Sequence, residues 1–314
     1  MERKKPLIVL TGPTAVGKTE LSVCLAKKIG GEIISADSIQ IYKYMDIGSA
    51  KITQEEMQGV RHYLVDELDP SEEFNIYIFQ SMAKKYINKI YDAGKIPIVA
   101  GGTGFYIQSL LYDIDFTQED NNMTYRKELE SLAKEKGNHF LHDMLKKVDE
   151  EAAEQIHENN VKRVIRALEY YKQTGEKISH HNEKQRQNSS PYEFKYFVLN
   201  MDRNLLYQRI DQRVNLMLEK GLVEEVEKLR DMGYGRQLVS MQGIGYKEIY
   251  AYLEGEMSLE EAVYVIKRDT RHFAKRQLTW FRREKEVQWI NYEDYQMNKD
   301  KILEYLVKEC SFAK

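Results

Sequence analysis

Eight consecutive residues, Gly12-Pro13-Thr14-Ala15-Val16-Gly17-Lys18-Thr19, carry the most legible chemistry in this chain. They match G-x-x-x-x-G-K-[ST]. An apolar run at 7–10 precedes them and an amphipathic helical pattern follows, the strand–loop–helix setting that such a loop needs to wrap a phosphate. Gly12 and Gly17 let the backbone curl, so that the N–H groups around Thr14, Ala15 and Val16 face one anion at a helix N-terminus. Lys18 adds a point charge, and the Thr19 hydroxyl is placed to ligate Mg²⁺. A glycine-rich turn matching by chance is the bland alternative, and the context speaks against it. The expected ligand is a di- or triphosphate.

Further residues could act on that ligand. Asp37 follows a second strand-like run at 32–36 and faces the same end of the sheet. A carboxylate there could be a general base or a Mg²⁺ ligand. Asp-Ser is also ordinary turn chemistry, and position alone leaves both readings open. The strand-like run at 96–100 ends in Gly101-Gly102-Thr103-Gly104, where ATP-hydrolysing phosphate-loop proteins usually carry an acid for Mg²⁺. That disfavours a mechanical ATPase and favours a small transferase of kinase-like build. The glycines imply tight turns or close backbone approach to a ligand. Arg209 and Arg213 stand one helical turn apart and could clamp a diphosphate, but spacing alone favours an ordinary surface helix with Asp202 and Asp211 as partners.

The elements that must position these groups follow from hydrophobic period. Strand-like runs at 7–10, 32–36, 96–100, 194–200 and 287–290 alternate with helical patterns such as 76–91. The expected fold is therefore α/β, a phosphate-loop core with a mainly parallel sheet, its ligands at the carboxyl ends of the strands. The interval from 115 to 190 has no strand-like run. It shows helical patterns at 125–136 and 161–172, the second with Val161, Val164, Ile165, Leu168 and Tyr171 on its apolar face and Arg163, Arg166 and Tyr170 opposite. It closes in a polar stretch, 180–190, that reads as a loop. We expect a helical insertion at 115–190 within a core formed by 1–114 and 191–314, with long helices at 204–220 and 258–283.

Composition narrows the partners. A length of 314 residues suggests about two domains. The net charge of −3 argues against indiscriminate coating of nucleic acid. Two local tracts run the other way. Residues 161–187 hold seven Lys/Arg against three Glu, and 267–285 hold eight against two acids, interleaved with His272, Phe273, Trp280 and Phe281. Basic charge mixed with aromatics suits a folded RNA with unstacked bases, although a solvated helix face explains either tract alone. No apolar run approaches the roughly 18 residues of a membrane span, and MERKKP does not open a signal sequence. Cys24 reads as a small core residue and Cys310 as part of the tail, so a reduced, cytoplasmic setting is expected, with no membrane and no obligate protein partner.

Taken together, the segments 12–19 (GPTAVGKT), 35–42 (SADSIQIY), 99–106 (VAGGTGFY), 162–168 (KRVIRAL), 240–247 (SMQGIGYK) and 275–282 (KRQLTWFR) resemble the tRNA dimethylallyltransferase (tRNA isopentenyltransferase) family, in its order and through nearly the whole chain. The resemblance implies a core related to small-molecule kinases and an inserted all-helical domain that grips the anticodon stem-loop. It also implies transfer of a dimethylallyl group from dimethylallyl diphosphate to the exocyclic amine of the adenosine 3′-adjacent to the anticodon. Diphosphate, held by the loop, Lys18, Thr19, Mg²⁺, Arg209 and Arg213, would then be the leaving group rather than ATP the donor. By the same resemblance Asp37 would be the base, and Thr103 would bond near the amine or the phosphates. Ser38, Ile39 and Gln40 would meet the flipped-out adenosine and its neighbours. Arg126, Lys162, Arg163, Arg166 and the segment Met241, Gln242, Gly243, Gly245, Tyr246, Lys247 would hold the RNA. The chain departs from the family pattern at Lys162-Arg163, where Gln-Arg is frequent, and at Gly243, where Cys is common. A small-molecule or nucleotide kinase shares the loop and an Asp after the second strand, but needs neither the insertion nor the aromatic-basic helix. A non-catalytic or ATP-driven RNA-binding protein is disfavoured by the missing acid after 96–100.

Overall fold

The computed structural model describes residues 4–116, 123–186 and 188–312. The opening residues 1–3 and position 187 of the polar stretch lie outside them. The chain divides into two compact units, one formed by 1–111 with 191–314 and the other by 112–190.

The first half of the core runs β1 (Lys5–Thr11), α1 (Lys18–Ile29), β2 (Gly31–Ala36), α2 (Gln54–Met57), β3 (His62–Tyr63), α3 (Ile76–Asp92), β4 (Ile96–Gly101) and α4 (Gly104–Leu111). The second unit holds α5 (Met123–Lys136), α6 (Asn138–Val148), α7 (Glu150–Gln155), α8 (Val161–Thr174) and α9 (Ile178–Arg186). The core then resumes with β5 (Tyr192–Asn200), α10 (Arg203–Glu219), α11 (Leu222–Asp231), α12 (Tyr246–Leu253), α13 (Leu259–Phe281), β6 (Val287–Asn291) and α14 (Lys299–Glu309). No helix among the described residues is long and apolar enough to cross a membrane.

All six strands are parallel, in the order β3-β2-β4-β1-β5-β6. Leu7, Ile8, Val9 and Leu10 of the central β1 have no exposed surface, which is why that strand is a continuous apolar run rather than an alternating one. β1 and β2 are not neighbours, because β4 lies between them. The register sets Thr11 and Ala36 on either side of Gly101, so the loops after β1 and β2 flank the end of β4. A ligand crevice belongs at such a switch point.

The helical unit has its own core, built on Leu129, Leu141, Leu145, Val164, Ile165 and Leu168. Two sequence readings are corrected here. The polar stretch at 180–190 is largely helix, as α9 spans Ile178–Arg186. Buried Asp149 fixes its start, accepting from the Ser179 hydroxyl at 2.7 Å and the Ser179 N–H at 2.9 Å. On α8 the buried face is rotated, since Tyr170 is buried and Tyr171 exposed. The cysteines also differ from expectation. Cys24 is only half-buried, whereas Cys310, at the end of α14, is buried in the core and its thiol is pushed up to about 12 by that burial.

Where α4 packs on α13, a Cβ on Gly104 would meet Trp280 Cδ1 at 2.2 Å, so only glycine admits the indole. Phe105 stands beside the same ring at 5.9 Å between centroids. Glu284, next along the chain, accepts from Gln108 Nε2 at 3.2 Å. Burial pushes its carboxyl up to about 7, with Trp280 opposing. An acid raised in the fold favours folding while protonated and loses that contribution as pH rises through the folded value. Wild type should therefore lose stability relative to Glu284→Gln as pH rises from about 4.5 to about 8, measured by denaturant unfolding. A pH-independent difference would contradict the burial of this carboxyl.

Candidate active site

The phosphate loop leaves β1 at Thr11 and enters α1 at Lys18. Gly17 holds φ +102° and Ala15 takes the left-handed region at φ 65°, which turns the loop tightly enough to aim its backbone at one point. The Lys18 ammonium donates to the carbonyls of Gly12 at 3.0 Å and Pro13 at 2.8 Å. Arg209 Nε donates to the Ala15 carbonyl at 2.9 Å. Burial, reinforced by the Arg213 charge and opposed by Asp37, draws Lys18 down to about 7. A bound anion would reverse the balance and keep the ammonium charged.

A cavity of about 450 Å³ opens over this loop, lined by Thr14, Ala15, Gly17, Lys18 and Thr19 below and by Arg209 and Arg213 of α10 above. The two aspartates that sequence spacing offers these arginines are engaged elsewhere. Asp202 caps α10, accepting from the N–H groups of Asn204 and Leu205, and Asp211 is paired with Arg271 at 2.5 Å. Neither aspartate pairs with Arg209 or Arg213.

Asp37 is the one acidic residue lining the cavity among the described residues. Its Oδ1 accepts from the N–H groups of Ile39 at 2.9 Å and Gln40 at 3.3 Å. The turn chemistry anticipated for Asp-Ser is therefore present, and it orients the carboxylate beside the cations. Gln40 also lines the cavity, with its amide committed to the carbonyls of Ser49 and Ala50 and its oxygen facing Ser35. Ser38 and Ile39 are half-buried in the turn and do not line the cavity. Thr103 precedes α4 and donates its N–H to the Ala36 carbonyl at 3.1 Å, which ties it to the Asp37 turn.

The Gly101-Gly102-Thr103-Gly104 turn lines the cavity at Gly101 and Gly102, and it also approaches the protein itself closely. A Cβ on Gly101 would stand 2.3 Å from the Ala36 carbonyl oxygen, and one on Gly102 would stand 2.1 Å from Gln277 Nε2.

The RNA-contact expectations divide. Met241 and Tyr246 are fully buried, so their side chains support the fold instead of facing a ligand. The Tyr246 hydroxyl donates to Glu225 at 2.8 Å, and that carboxylate gathers the N–H groups of Asp46, Ile47 and Gly48. Gln242 donates to the Arg236 carbonyl, and Lys247 lies 3.4 Å from Glu248. Gly245, also buried, starts α12. A Cβ on Gly243 would stand 3.4 Å from Ile39 Cδ1, so this segment backs the Asp37 turn. In the helical unit, Arg126 donates to Glu169 through Nε and one terminal nitrogen, at 2.9 and 2.7 Å, along one edge of its guanidinium. Lys162 and Arg163 are exposed and Arg166 is half-buried.

Sequence reasoning missed Gln212, Leu216, Phe273 and Gln277, all on the cavity wall. The signal was available: Arg209, Gln212, Arg213 and Leu216 follow the i, i+3, i+4, i+7 spacing of one helix face, and Phe273 and Gln277 are one turn apart. Among the described residues no three His, Cys, Asp or Glu side chains form a metal cage. Mg²⁺ in phosphate sites needs few protein ligands, since phosphate oxygens and waters supply the rest. The exposed Thr19 hydroxyl on the cavity wall fits that requirement.

Fold and cavity define the class as a phosphate-loop transferase. The family model for IPP transferase matches residues 40–284. A tRNA dimethylallyltransferase of Lachnoclostridium phytofermentans is 64% identical over 304 residues, 97% of each chain. One from Acetivibrio thermocellus is 55% identical, covering 96% of each chain. Among solved structures, the tRNA delta(2)-isopentenylpyrophosphate transferase of Staphylococcus epidermidis superposes with a TM-score of 0.72 at 45% identity, over 98% of both chains. A eukaryotic dimethylallyltransferase acting on tRNA gives a TM-score of 0.79 at 31% identity, over 91% of this chain and 74% of its own. The chain belongs to the IPP transferase family.

Proposed function

We propose that this enzyme transfers a dimethylallyl group from dimethylallyl diphosphate to the exocyclic amine of the adenosine 3′-adjacent to the anticodon in tRNA, releasing diphosphate. The observation that carries the reading is the charge pattern of the cavity: Lys18, Arg209 and Arg213 oppose a single carboxylate, Asp37. Cations aimed at a diphosphate stabilise the charge that grows on it as the allylic C–O bond breaks. Asp37 is left to take the proton from the attacking amine, whose weak nucleophilicity makes timely deprotonation valuable. Ile33, Ile52, Val65 and Ala100 supply apolar wall for a five-carbon chain. Leu216 and Phe273 keep exposed apolar surface at the same cavity, where an unstacked base can be received. Thr19 would hold Mg²⁺, which when bound would share in neutralising the diphosphate. Thr103 and Gln40 fix the Asp37 turn, and Lys162, Arg163 and Arg166 of the helical unit would meet the tRNA backbone.

Three outcomes follow. Purified protein incubated with unmodified tRNA and Mg²⁺ should carry label into tRNA from radiolabelled dimethylallyl diphosphate. Transfer of γ-label from ATP to a small acceptor, with none reaching tRNA from the allylic donor, would make the enzyme a kinase instead. Asp37→Ala should bind tRNA nearly as wild type while its single-turnover rate falls by about 10²–10⁴-fold, and an unchanged rate would remove Asp37 from the chemistry. Replacing both Lys162 and Arg163 by Ala should weaken tRNA binding and lower the log–log salt slope by about 1.5–2. A change confined to the KM for the diphosphate would place RNA recognition elsewhere.

A further inference from the structure

Gln277 is 6% exposed and projects from α13, the long helix of the second basic tract. Its Oε1 accepts from the Thr14 N–H at 2.9 Å, within the phosphate loop. Its Nε2 donates to the Gly102 carbonyl at 3.0 Å, at the end of β4. Thr14 and Gln277 are 263 positions apart, so the loop conformation at Thr14 is held from a distant element rather than by the loop alone. An apolar side chain would fill the same volume. The carboxamide here accepts from one backbone through Oε1 and donates to another through Nε2. Gly102 makes the room, since any Cβ there would occupy the position of Nε2.

We infer that Gln277 is a positioning residue: its amide pins the Thr14 end of the phosphate loop to the end of β4, and thereby presets the remaining loop N–H groups for the diphosphate. The inference rests on the prenyl-transfer reading for the identity of that diphosphate. Loss of the amide leaves the part-buried Thr14 N–H and the buried Gly102 carbonyl without these partners, a penalty that the loop escapes by moving.

The test uses the full-length protein with inorganic pyrophosphate as probe. Gln277→Met keeps the volume and removes both bonds. Its pyrophosphate affinity should fall about tenfold or more, with tRNA affinity unchanged and amide hydrogen exchange faster at residues 12–17. Gly102→Ala retains Gln277 but displaces its amide, and should reproduce all three results. A packing role alone would lower the melting temperature without the selective loss of pyrophosphate affinity. Pyrophosphate binding within twofold of wild type in a folded Gln277→Met would overturn the inference, as would failure of both variants to fold, because Gln277 would then be general support. Wild type that binds pyrophosphate yet transfers no dimethylallyl group to tRNA would sink the prenyl-transfer reading alone, leaving the loop anchor to stand or fall on the pyrophosphate result.

Discussion

Two loops must act on one ligand, yet they leave strands that do not touch. The whole site depends on how β4 separates β1 from β2 by a single strand width, roughly 5 Å on each side. The register then sets Thr11, Gly101 and Ala36 side by side, and the phosphate loop and the Asp37 turn rise from positions on either side of a glycine. A side chain on Gly101 would collide with the Ala36 carbonyl and force those strand ends apart. The glycine-rich end of β4 is thus a spacing device. The Thr103 N–H bond to Ala36 and the Gln277 bond to Gly102 hold the same turn from its two ends.

Bringing Lys18, Arg209 and Arg213 round one cavity is electrostatically unfavourable by itself. The cost is visible in Lys18, drawn down to about 7 by burial and the neighbouring guanidinium. Asp37 offsets part of it, and backbone carbonyls of the loop take the ammonium and one guanidinium meanwhile. Under the proposed reaction this arrangement favours the transition state over the bound donor, because charge on the diphosphate increases as the allylic bond opens. The loop and α10 already gather the cations at the cavity before that charge appears.

Local patterns were legible where the physics is local. The phosphate loop, the apolar strands and the helices over 76–91, 161–172 and 204–220 could be read because period and turn chemistry act within a few residues. What stayed hidden depended on partners distant in sequence. α9 is polar along its length, and its start is secured by Asp149, 30 positions earlier. Arg126 reads as an RNA contact from sequence, and nothing near it announces that Glu169, 43 positions away, takes one edge of its guanidinium. The arginine pair on α10 was ambiguous because its competitors, Asp202 and Asp211, lay at plausible spacing. In the structure one aspartate caps α10 and the other pairs with Arg271. Gln277 was visible within a recognisable segment, but nothing in residues 275–282 announces that one of them reaches the phosphate loop.

The absence of an acid at the end of β4 gains a physical meaning from this geometry. A loop that transfers phosphoryl groups or drives motion by hydrolysis must organise metal at the terminal phosphate, and a strand-end carboxylate serves that end. Here the same position is glycine, packed against Ala36 on one side and followed by the Gln277 contact on the other. A side chain there would strike the Ala36 carbonyl, and a carboxylate would add negative charge beside the ligand. Under the proposed reaction, charge neutralisation would rest on Lys18, Arg209 and Arg213, with Thr19 as the protein's own oxygen for a phosphate-borne ion. Such a site would suit a diphosphate that departs whole, and would leave Asp37 for the proton on the other reactant.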